Sequence, residues 1–114
     1  MKMIKLIVKD YEVDKIREDT RKVVRIPYSV KQSIVGILYS PDLRLTMREA
    51  INRKPLADSI ENCQEDFIYI TQEDYTKIKD SFDKTQGFGK DDVELLKRID
   101  KAEEIDVDIK ESKE

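Results

Sequence analysis

Phe67-Ile68-Tyr69-Ile70-Thr71-Gln72-Glu73-Asp74-Tyr75 decides the fold class. Four consecutive apolar residues, aromatic alternating with β-branched, read as a strand in a sheet interior. Thr71 then has the form of a helix N-cap. Gln72, Glu73 and Asp74 fill the first turn, where carboxylates favour the positive end of the helix dipole. The apolar spacing changes there to the helical period, with Tyr75, Ile78 and Phe82 on one face. Glu73–Lys77 and Asp80–Lys84 lie four apart in the favourable order. A strand that runs straight into an amphipathic helix requires both a sheet and a helical layer.

Upstream, residues 2–9 read as a strand, with Ile4, Leu6 and Val8 on one face and Lys5 and Lys9 on the other. Residues 10–21 are polar and charged and suit a hairpin-like connection or a loop. Lys22-Val23-Val24-Arg25-Ile26 reads as a second strand, stopped by Pro27. Ser29 and Gln32 have the spacing of a capping box. The helix behind them carries Val30, Ile34, Val35, Ile37 and Leu38 on more than one face, which implies deep burial. Pro41 ends it. Thr46 and Glu49 form a second capping box, opening a helix with Met47, Ala50 and Ile51. Pro55 is expected to kink this helix or to start a new one carrying Leu56, Ala57, Ile60 and Cys63.

Downstream, Gly87 suits a helix C-terminal cap. A last helix is expected over 90–102, with Val93, Leu96 and Ile99 inward. Ile105, Val107 and Ile109 alternate with Asp106, Asp108 and Lys110 as a final edge strand. The order β-β-α-α-α-β-α-α-β predicts an α+β fold, a small mixed sheet of about four strands with helices on one side. One domain is expected over 1–111, with 112–114 a frayed tail.

The 114 residues hold one cysteine and no histidine. A lone cysteine makes no internal disulfide, and no cleavable apolar leader is visible, so a cytoplasmic location is expected. The longest apolar run falls far short of the about 20 residues that cross a bilayer. Lacking histidine, the chain lacks the commonest metal ligand and general base. Cys63, without a histidine partner, reads as a small core residue. No catalytic set, metal set or cofactor motif can be assembled.

The net charge of −3 hides a polarised chain. Residues 1–54 carry 13 basic and 7 acidic side chains, a surplus of +6; residues 55–114 carry 9 and 18, a surplus of −9. Either the halves neutralise one another within the fold or they face other macromolecules.

Residues 34–60 resemble a helix-turn-helix pattern, as in winged-helix regulators: Ile37-Leu38, then Leu45 to Ile51, a turn at Lys54-Pro55, and Leu56 to Ile60. The resemblance implies DNA binding through 44–60. Its candidate recognition helix, 56–63, holds Asp58 and Glu61 and no basic residue, which opposes phosphate contact; Arg44, Arg48, Arg53 and Lys54 are the available backbone contacts. Gly87-Phe88-Gly89-Lys90 precedes a helix but lacks Walker A spacing, and Asp91 and Asp92 would repel phosphate. Phe88 is either a core plug or an exposed anchor. Asp106 and Asp108 read as a solvated acidic face. The five tyrosines are spread along the chain without a stacking motif.

The expected function is therefore non-enzymatic. The chain acts by protein–protein contact, as an assembly subunit or as an inhibitor of a host protein, and its small, lysine-, isoleucine- and aspartate-rich character suits a phage or mobile-element accessory protein. The expected partner is a second copy or a host protein, with nucleic acid second and no membrane. The expected contact residues are Arg44, Arg48, Arg53, Lys54, Phe88, Asp91, Asp92, Asp106 and Asp108.

Overall fold

In the computed structural model, which describes residues 2–106, the chain runs β1 (Lys2–Ile7), β2 (Tyr11–Ile16), β3 (Val23–Tyr28), α1 (Val30–Leu38), α2 (Met47–Glu61), β4 (Phe67–Ile70), α3 (Gln72–Lys84), α4 (Val93–Asp100) and β5 (Glu103–Asp106). Short 3-10 turns lie at Pro41–Leu43 and Lys90–Asp92. This is the α+β architecture that the period switch at Thr71 predicts. The strands are divided between two sheets, a three-stranded one in the order β4-β1-β5 and a hairpin of β2 and β3. All pairings are antiparallel, so the single mixed sheet expected from the sequence is replaced by two antiparallel ones.

The core follows from alternation along β1. Ile4 and Leu6, with Val8 just beyond, turn inward beside Ile70 and meet Val30, Ile34, Leu38, Ile60, Ile78, Leu95 and Ile99 from the helices. Each fully buried Leu or Ile contributes about 1.5–3 kcal/mol relative to exposure. The other side of the sheet, with Met3, Lys5, Ile7, Phe67, Tyr69 and Ile105, contains no fully buried residue. Helices therefore cover one face only.

Several local expectations change. Pro27 lies inside β3, opposite Glu12. Ser29 makes no side-chain cap; instead Asp10, twenty residues earlier, accepts the Val30 N–H at 2.9 Å. The Thr46–Glu49 capping box forms as expected. α2 then runs unbroken through Pro55, so the turn expected at Lys54-Pro55 is absent. Proline removes the donor to the Ile51 carbonyl. Ile51 lies on the outer side of α2, 62% exposed, with Met47 at 81%. The helix is anchored from its second half, through Leu56, Ala57 and Ile60.

The last helix begins at Val93 after the 90–92 turn, and its buried residues are Leu95 and Ile99, with Val93 exposed. Gly87 takes a positive φ of 92° in the connection after α3, whose C-cap is Thr85. β5 starts two residues before the expected Ile105. Val107, Asp108, Ile109 and Lys110 of the expected strand, and the tail 112–114, lie outside the described residues. Cys63 is half-buried, its Sγ 3.3 Å from the Phe67 carbonyl.

Candidate functional site

The β2–β3 hairpin projects as an arm. Its two strands pack chiefly on each other. The molecule measures 57 × 35 × 22 Å, with a radius of gyration of 16.2 Å. A compact chain of this length has about 13 Å.

The register pairs Tyr11 with Tyr28, Val13 with Ile26, Lys15 with Val24, and Ile16 with Val23. The Arg17 N–H donates to the Lys22 carbonyl at 2.9 Å, which sets the phase of the ladder. Tyr11, Val13 and Lys15 then bond inward to Tyr28, Ile26 and Val24, because hydrogen-bonded pairs alternate in an antiparallel ladder. Pro27 falls at a non-bonded position, and its missing N–H belongs to the outer edge of β3. No ladder bond is lost, which explains why the strand passes through it.

At its root the arm is tied to the acidic half. The Tyr11 hydroxyl donates to the Asp91 carbonyl at 2.6 Å, and the Tyr28 hydroxyl to an Asp92 carboxylate oxygen at 2.5 Å. Lys15 pairs with the Asp91 carboxylate. The Arg98 guanidinium lies 5.2 Å from the centre of the Tyr11 ring. Burial raises the pKa of both tyrosines above the phenol's usual value, and in Tyr28 the hydrogen bond to Asp92 raises it further.

The far end is different. Ile16 is 70% and Val23 63% exposed, and they face each other across the strands on the side that also carries the Asp14–Arg25 ion pair. The turn between them carries Arg17, which pairs with Asp19, and Glu18, Arg21 and Lys22. Arg21 has a positive φ of 56° in the turn.

The nine residues expected to bind a partner do not form one surface. Arg44 and Arg48 are exposed, around the start of α2. Arg53 turns inward and donates to the Ser81 hydroxyl at 2.6 Å. Lys54 pairs with Asp58. Phe88 is half-buried and stacks on Phe82, ring centres 5.9 Å apart, so it is the core plug of the two alternatives. Asp91 and Asp92 hold the arm's root, and Asp92 also accepts the Gly89 N–H at 2.8 Å. Asp106 is exposed on β5 opposite Lys2, and Asp108 lies outside the described residues.

Sequence reasoning missed the arm because 11–16 is rich in charge. The signal was Tyr11 and Val13 in alternation, matched across the Arg17–Lys22 turn by Val24, Ile26 and Tyr28. Among the described residues there is no cluster of three or more His, Cys, Asp or Glu that could hold a metal. No helix among them is long and apolar enough to cross a membrane. Comparison of the chain with known protein families, with curated proteins and with solved structures finds no match.

Proposed function

We propose that this chain is a non-enzymatic assembly subunit whose β2–β3 arm docks on a second copy of the protein. The observation that carries the reading is the pair Ile16 and Val23, apolar, opposed and largely exposed at the end of a projecting hairpin. A free two-stranded hairpin is marginal by itself, and covering its apolar end stabilises it. The neighbouring charges supply a direction. At the arm's turn Arg21 and Lys22 are basic, beside Arg17 paired with Asp19 and Arg25 paired with Asp14, whereas β5 carries the exposed Glu103. Such complementarity favours a head-to-tail contact between copies and speeds their encounter. Within one molecule, Lys2–Glu104 and Lys15–Asp91 are ion pairs that join the distant basic and acidic segments. A cytoplasmic location and a phage or mobile-element origin belong to the same reading, on composition alone. The continuous α2 lends no support to a helix-turn-helix regulator.

Light scattering across a concentration series, at low and high salt, tests the reading. Expected is a mass above the monomer at low salt, reduced by salt and by the double variant Ile16→Thr, Val23→Thr. A strict monomer at high concentration and low salt overturns it.

A further inference from the structure

On the uncovered face of the three-stranded sheet, Phe67 and Tyr69 project from β4 beside Lys5 and Ile7 of β1. The two rings lie 5.2 Å apart, tilted by 56°, and the Lys5 ammonium sits 4.7 Å from the centre of the Phe67 ring. Tyr69 is 41% exposed. Lys5 and Ile7 also form one wall of a groove of about 470 Å³ whose other wall is the end of α4, with Lys97 and Lys101. These lysines lie four apart, and neither has a carboxylate partner among the described residues. Glu94, on the same groove, is taken by Arg98 at 3.0 Å, which leaves Glu103, opposite Lys5, as its other acid.

An occupant of this continuous surface must offer flat apolar faces to the rings and negative charge to the lysines. Single-stranded nucleic acid has both: bases stack on exposed aromatic side chains while phosphates follow a basic groove. A duplex does not expose its base faces, and the carboxylates of an acidic peptide do not stack on rings. We propose that the β4–β1 face, with the groove under Lys97 and Lys101, binds single-stranded nucleic acid through base stacking on Tyr69 and Phe67. The surface is separate from the arm, so it stands or falls independently of self-assembly.

Fluorescence anisotropy of the full chain with end-labelled oligothymidine and oligouridine tests this, with a blunt duplex of equal length as comparison. Expected is binding to the single strands, weaker on the duplex and falling with added salt. Tyr69→Ala should lower affinity about tenfold through lost stacking. Lys101→Gln should lower it too and flatten the salt slope by about 1. Both positions are exposed, so circular dichroism should stay unchanged, and Ile16→Thr should leave affinity unchanged. No binding at low salt, equal binding to duplex, or affinity indifferent to Tyr69→Ala overturns the proposal. So does a dimer that Tyr69→Ala dissociates in a protein that ignores oligonucleotides, which gives the face to a second copy.

Discussion

Tyr11 and Tyr28 stack at the base of the arm, ring centres 4.6 Å apart and planes within 11° of parallel. The two residues face each other across the strands, so the stack fastens β2 to β3 where the hairpin leaves the body. Their hydroxyls then fasten the pair to Asp91 and Asp92. The arm is thus fastened by a cross-strand aromatic pair with two polar anchors and, further along β2, by the Lys15–Asp91 ion pair, with Ile16 and Val23 exposed beyond it.

Tyr28→Phe keeps the stack and removes one anchor. Expected is a loss of about 1–2 kcal/mol in urea unfolding, since the bond reaches a carboxylate. Its pH signature is specific. The folded-state pKa of Tyr28 is raised, so its contribution is complete below the unfolded phenol value of about 10 and is lost as pH rises beyond it. Stability measured from neutral pH upward should fall more steeply in the parent than in Tyr28→Phe.

Asp10→Ala should cost about 1 kcal/mol, the ordinary worth of an N-cap, because it strips the acceptor from the Val30 N–H. Ser29→Ala should be nearly silent, since the Ser29 side chain caps nothing. Thermal unfolding of the two variants side by side checks the assignment; equal losses would return the cap to Ser29.

Pro55→Ala restores a donor to the Ile51 carbonyl in the middle of α2. Proline costs about 3 kcal/mol in a helix interior, although part of that is offset by its stiffening of the unfolded chain. A gain in stability is expected from denaturant unfolding. A loss would show that the ring makes contacts that outweigh the missing bond.

Glu49 is held below the usual carboxylate range, first by the Thr46 N–H and then by the Thr46 hydroxyl. A lowered folded-state pKa means that its contribution is present above the unfolded value and is lost as pH falls through the folded one. The start of α2 should fray on acidification, seen as rising amide exchange at Ala50 and Ile51. Glu49→Gln should weaken that pH dependence.

The elements whose burial has a clean period were legible in the sequence. β1 buries Ile4 and Leu6 on one side and α3 buries Tyr75, Ile78 and Phe82, while Thr46 and Thr71 announce their helices through local chemistry; β4, expected in a sheet interior, is an edge strand. What failed depended on distant chain. Asp10 capping α1 is a contact across twenty residues, invisible to a local rule that finds Ser29 at the right spacing. Pro27 was read as a stop because its fate depends on which edge its nitrogen faces, and that phase is fixed by the register with β2. Met47 and Ile51 carry the right residue types for a core but lie on the outer side of α2. Of the candidate contact residues, Asp91 and Asp92 hold the arm's root and Phe88 stacks on Phe82, contacts between distant parts of the chain that local spacing does not reveal. Phe67 and Tyr69 were legible as a strand, but their exposed face became visible only when every helix packed on the opposite side.

Pro27 bears finally on self-propagation. A protruding ribbon with bare isoleucine and valine is a seed for fibrils, since each new strand finds a row of donors and acceptors to copy. On the β3 edge that row is interrupted at Pro27, and the Asp14–Arg25 pair charges the face beside it. Templated strand growth along this edge is thereby impeded, which leaves side chains as the means by which a partner would engage the ribbon.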